Sequence, residues 1–176
     1  MLKLLRPLAA FTEKLVDRTG QLTAWIALVM IGLVATNVLL RYSFSYGSVW
    51  AQELEWHLLA ALILLGMSHA LQRGENVRVD LFYARFSPLG KRVVDVASAL
   101  LLIGVSLGFI WLSLGYVEQS RSIGEASADP GGIPMRWLVK ALIPLGYCLL
   151  LLQQLAHLLR LFDAPPTITT EGTGRV

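Results

Sequence analysis

The sequence predicts an all-α integral membrane protein: four transmembrane helices preceded by an N-terminal amphipathic helix, with both termini cytoplasmic. Three observations predict it. First, 55% of the 176 residues are hydrophobic and only 15% are charged, against about 25% charged in soluble domains, and the mean hydropathy is +0.60. Second, four runs are long and apolar enough to span, which takes about 20 residues. Gln21–Leu40 and Val96–Val117 carry no charge, Trp56–Gln72 carries only histidines, and Ala141–Arg160 has only His157 before its terminal arginine. Third, the cations are asymmetric. Eleven of the fifteen Lys and Arg lie in the N-terminal segment, the loop after span two and the tail; four lie in the other two loops. Cation-rich loops stay in the cytoplasm, which places both termini there.

The resulting divisions are residues 1–20, a cytoplasmic amphipathic helix; 21–162, the four-helix transmembrane domain; and 163–176, a disordered tail. Four spans with their flanks leave no length for a separate soluble domain. The net charge of +3 does not indicate nucleic-acid binding, because the cations sit at span ends where orientation explains them. The single cysteine, Cys148, has no disulfide or metal-ligand companion and reads as a small core residue.

In residues 2–18, Leu4, Leu8, Phe11 and Leu15 fall on one helical face, which Lys3, Arg6, Glu13, Lys14 and Asp17 avoid. That pattern fits a helix lying in the cytoplasmic interface. No signal-peptide cleavage pattern follows it. The first span carries Thr36 and Asn37 near its outer end, suited to bonding a neighbouring helix. Arg41 follows, and an aromatic-rich loop leads to Trp50 and Glu53.

Span two is the most informative. At about 100° per residue, Glu55, Leu62, Gly66, His69 and Arg73 fall within about 40° of one line. An ionised group at the bilayer centre costs about 2.5–3.5 kcal/mol, so this face should turn towards protein. The basic loop after it, with Arg78 and Asp80, reads as a short amphipathic element. On span three, Asp95, Leu102, Ser106 and Ser113 share one face, while Gly104, Gly108 and Gly115 lie nearly opposite. Small residues of the G-x-x-x-G kind let membrane helices approach, so this helix should touch neighbours on two sides, one in a partner subunit. Pro134 suits the first turn of span four, and Pro144 lies within it.

Chemistry has little material here. The sequence offers no nucleophile with a nearby base, no Gly-rich phosphate loop and no carboxylate pair within a span, so an enzyme is excluded. A four-helix anchor of a haem- or quinone-linked complex is the alternative. His57 and His69 lie about 18 Å apart on one helix and cannot share an iron, which leaves His69 with His157. A self-sufficient transporter would need polar or broken helices near the midplane; no span has a charge there.

Three segments, NVLLRYSFSYGSVWAQELEW, LLGMSHALQRGENVRVDLFY and GGIPMRWLVKALIPLGYCLLLLQQL, resemble the small membrane subunit of tripartite ATP-independent periplasmic (TRAP) transporters, the DctQ-like family. The resemblance rests on Arg41, on Trp50 and Glu53, on Gly74, Arg78 and Asp80, and on Gly132-x-Pro134 leading to Ile143-Pro144-x-Gly146. The sequence departs at Asn76, where a histidine is common. The resemblance implies a bacterial inner-membrane protein that pairs with a large multi-spanning subunit carrying substrate and sodium, supplied by a periplasmic binding protein. It implies no cofactor on this chain and an organic acid as cargo. The expected partner surface comprises Arg41, Trp50, Glu53, Glu55, Gly66, His69, Arg73, Arg78, Asp80, Gly104, Gly108 and Gly115.

Overall fold

A computed structural model describes residues 2–74, 83 and 85–163. Its elements are four helices: α1 (Leu2–Phe44), α2 (Val49–Arg73), α3 (Pro88–Ser122) and α4 (Trp137–Asp163). All four are long and apolar enough to cross a membrane. They alternate in direction. The start of α1, the α2–α3 connection and the end of α4 share one end, here the termini end. Residues 45–48 and 123–136 connect helices at the other, distal end.

Local chemistry sets the helix limits. Ser48 caps α2 by accepting the Ala51 N–H at 3.3 Å, and Gly74 ends it at φ 72, a left-handed conformation that glycine adopts without steric cost. Ser87 caps α3 in the same way, with Pro88 in the first turn. Span four begins at Trp137, later than Pro134 suggested, because Met135 takes a left-handed φ of 61 that a helix cannot include.

α4 is the centre of the bundle. It packs on α3, α2 and α1; α1 also packs along α2, and α3 meets the rest chiefly through α4. The packing faces repeat every seven residues. On α1 the buried set includes Ala9, Val16, Thr23 and Asn37; on α3 it is Ala99, Ser106, Ser113 and Ser120. A seven-residue spacing is a 3.5-residue period, which keeps one stripe against a neighbour when helices wrap left-handedly. The α3 stripe is small, and the hydroxyls of Ser106 and Ser113 are satisfied within the helix. Ser106 donates to the Leu102 carbonyl at 2.7 Å and Ser113 to that of Ile110 at 3.1 Å. At those two positions the stripe can therefore pack closely without orphaned donors.

The expected Asp95/Ser106/Ser113 face thus meets α4. The glycine face is open: a Cβ placed at Gly104, Gly108 or Gly115 meets nothing within 4 Å. The close approaches lie at other glycines. A Cβ at Gly146 of α4 would collide with the Leu64 carbonyl of α2, and one at Gly20 of α1 with the ring of His69.

Residues 2–18 are helical and continue without a break through Gly20 into the first span, so the N-terminal helix and the first span form one element, α1. Among the described side chains its buried side includes Ala9, Thr12 and Val16, leaving Phe11 exposed; the seven-residue stripe of the long helix decides which side faces the bundle. Cys148 is exposed, not core, because Gly146, Leu149 and Leu150 occupy the buried side of that turn. The expected amphipathic element around Arg78 and Asp80, and the tail from residue 164, lie outside the described residues.

Candidate functional site

The polar side chains concentrate at the two ends. At the distal end everything converges on Glu53. It sits in the first turns of α2, 3% exposed. Its Oε1 accepts from the Ser127 hydroxyl and from Arg136 Nη2 at 3.0 Å, and its Oε2 accepts the Ile133 N–H at 2.6 Å. Ser127 in turn accepts the Asp129 N–H at 3.1 Å. Gly132 makes room for this, since a Cβ there would lie 2.7 Å from Oε2.

Around this knot the charges pair off. Glu125 forms an ion pair with Lys140, whose Nζ also lies 4.0 Å from the Tyr116 ring centroid. The Arg136 N–H donates to the Glu125 carbonyl at 3.0 Å. The Lys140 ammonium, donating to the Glu125 carboxylate, holds that carboxyl below its ordinary value. His57 Nδ1 donates to the Glu53 carbonyl at 2.6 Å. The arrangement fastens one loop to three helices. It holds no nucleophile and no group of three or more His, Cys, Asp or Glu side chains suited to a metal among the described residues.

At the termini end the contacts tie α1 to its neighbours. Asp17 accepts from Arg73 at 3.3 Å and lies 3.8 Å from His69 Nδ1. Glu13 pairs with Arg160 of α4, and its carbonyl accepts from Gln72 at 3.1 Å. Arg92 of α3 donates to the Leu161 carbonyl at 3.1 Å, and Tyr83 donates to Asp95 at 2.8 Å. Of these groups Glu13, Gln72, Tyr83, Asp95 and Arg160 border a cavity of about 550 Å³ lined by residues of all four helices.

The sequence-predicted residues separate into three sets. Glu55, Gly66, His69 and Arg73 do face protein, and that protein is α1 of the same chain. Glu55 accepts from Asn37 at 3.0 Å, Gly66 faces Thr23 at 3.9 Å, His69 stacks over Gly20, and Arg73 meets Asp17. Of the two polar residues on span one, Asn37 bonds across helices, whereas Thr36 donates back to Gly32. Glu53 is consumed by the distal knot. Arg41 and Trp50 are exposed, as is the Gly104/Gly108/Gly115 stripe. Arg78 and Asp80 lie outside the described residues. His157 lines the termini-end cavity and His69 does not, so the two histidines of the haem alternative stand in different surroundings.

Sequence reasoning missed Ser127, Glu125, Arg136 and Lys140. A faint signal existed in Ser127-x-Asp129-Pro130-Gly131-Gly132, whose residue types favour tight turns. Nothing in the spacing joined that turn to Glu53.

Residues 30–164 match the family described as tripartite ATP-independent periplasmic transporters, DctQ component. The chain belongs to this family. It is a small permease subunit of a TRAP transporter and a multi-pass membrane protein, and the family is one of transporter components rather than enzymes. The match begins inside α1 and ends at the close of α4, so in this TRAP subunit it takes in the Glu53 knot and the cavity's lining on α2, α3 and α4, but not Glu13 of α1. No curated protein matches the chain.

Proposed function

We propose that this chain is the stationary support of a sodium-coupled, binding-protein-dependent uptake system for organic acids. It holds the large multi-spanning subunit in place while that subunit carries substrate and sodium. The observation that carries this reading is where the polar groups go. The ion pairs of the described spans lie at the two ends and join the chain's own helices or loops, and the middle of the bundle carries no charged side chain of the kind a substrate and sodium path would use. The helices bury little within the chain: 11% of the span window of α1, α2 and α3, and 28% of α4. Much apolar surface is left for lipid and for a partner. In this reading the termini end is cytoplasmic and the 123–136 loop faces the periplasm, where the binding protein delivers cargo.

The test is uptake in cells and in liposomes. Deleting the chain should abolish sodium-driven uptake by the large subunit, and the chain alone should move nothing. Full uptake without it, or transport by it alone, overturns the reading. Cysteine labelling checks the orientation. Ala128→Cys should react from outside intact cells, and Ser87→Cys only after the membrane is opened.

A further inference from the structure

The cavity at the termini end has a chemistry that the transport role leaves unused. Its rim carries Glu13, Asp95 and Arg160; its walls include Leu71, Val94 and Leu102. Leu102 lies two turns, about 10 Å, deeper along α3 than Asp95. The space therefore begins among charged groups and ends in the apolar layer, which is the profile of the membrane interface. Its 550 Å³ is a small-molecule volume. A helix about 10–12 Å across would fill it with a single turn.

The lining is rich in acceptors. Two carboxylates, Glu13 paired with Arg160 and Asp95 bonded by Tyr83, share the lining with one guanidinium and His157. Gln153 and Gln154, each 5% exposed, leave their carbonyl oxygens without a partner. Gln72 donates its Nε2 to the Glu13 carbonyl, which fixes the amide's orientation and leaves its oxygen unpaired as well. All three glutamines line the cavity, and at Gln153 and Gln154 the broad last torsion of the side chain allows the oxygen to turn to it. Buried acceptors are normally satisfied, so a fitting occupant brings N–H donors and positive charge. Among the described residues α2 and α3 flank α4 without an extensive packed interface between them, which leaves an apolar side between those two helices for a lipid tail.

We propose that this cavity binds the headgroup of a phospholipid carrying a primary ammonium. The ammonium sits between Asp95, Glu13 and the glutamine floor. The phosphate lies against Arg160, and the acyl chains leave between α2 and α3. A primary ammonium supplies three donors and one positive charge, matching the orphaned oxygens and the carboxylate excess. A fully methylated ammonium has the charge without the donors, and a glycerol headgroup has hydroxyl donors without the positive charge.

Native mass spectrometry of the full-length chain in phosphatidylethanolamine, phosphatidylcholine and phosphatidylglycerol tests this. The expected result is about tenfold tighter retention of phosphatidylethanolamine than of either other lipid. Asp95→Asn should remove most of that preference, and so should Ser98→Trp, which fills the cavity from an exposed position on α3. Gln154→Leu separates binding from folding: it should raise the melting temperature of the lipid-free chain, because an orphaned oxygen is gone, while lowering the preference. Equal retention of the ethanolamine and choline lipids overturns the proposal. So does a preference that survives both Asp95→Asn and Ser98→Trp, or protection by free ethanolamine equal to that by the lipid. If the variants weaken binding of the large subunit while lipid preference is unchanged, the cavity is a protein-docking site and the proposal falls. The lipid-retention and melting outcomes do not depend on the transport role.

Discussion

The N–H of Ile133 donates to Oε2 of Glu53 at 2.6 Å, joining the start of α2 to a loop 80 residues later. With Ser127 and Arg136 on the other carboxylate oxygen, one side chain determines the shape of the whole 123–136 connection. Removing one partner of a buried, hydrogen-bonded charge is costly because the other is left uncompensated.

Glu53→Gln should therefore loosen that loop more than any single change within the loop itself. The variant keeps the size of the side chain but loses the ion pair with Arg136 and weakens two charge-assisted bonds. Hydrogen exchange should show faster exchange at Ile133 and the Asp129 amide, with the middle of α3 and α4 unchanged. Protection at Ile133 equal to that of the parent chain would refute the assignment.

The same loop should respond to acid. The Lys140 ammonium lowers the Glu125 carboxyl from its ordinary value of 4.5. A carboxyl lowered in the folded state contributes stability above its unfolded pKa, and the contribution disappears as pH falls through the lower, folded value. Loop protection should thus be flat from neutral pH down to about the ordinary carboxyl range and then decline. In Glu125→Gln the acid-dependent part of the decline should shrink. A pH profile identical in parent and variant would count against the pair.

Gly20→Ala tests the seam between α1 and α2. An added methyl overlaps the His69 ring, and overpacking of this kind costs about 1–3 kcal/mol. Truncating the ring should relieve it, so Gly20→Ala/His69→Ala should be more stable than the sum of the single changes by about 0.5–3 kcal/mol. Additive effects in thermal or denaturant unfolding would show that the two do not touch.

Gly108→Leu tests the partner surface without disturbing the chain. Nothing lies within 4 Å of that position, so stability of the isolated chain should change by no more than about 0.5 kcal/mol. If the large subunit packs on this face, co-purification should fall about tenfold, the effect of 1.4 kcal/mol. Gly146→Leu is the contrast, since it strikes the Leu64 backbone and should destabilise the chain itself. An undiminished complex in Gly108→Leu would move the partner to another face.

The sequence by itself determined four spans, their approximate limits and the absence of catalytic machinery, because burial in a bilayer leaves its mark on every residue of a helix. It also identified the Glu55–Arg73 line of α2 as a face for protein, since period and polarity are local properties. It did not determine which protein. Asn37, Thr23, Gly20 and Asp17 meet that face only because α1 continues unbroken past Gly20, and continuity over 43 residues is settled by packing against α2 and α4, not by local preference. Nor did it distinguish the two stripes of α3. Serine and glycine are both small, and which of them meets α4 depends on the rotation of one helix against another. The Glu53 knot was the least legible part. Its members are scattered over 83 positions, and a carboxylate of this kind is recognised by donors that only the folded loop brings to it.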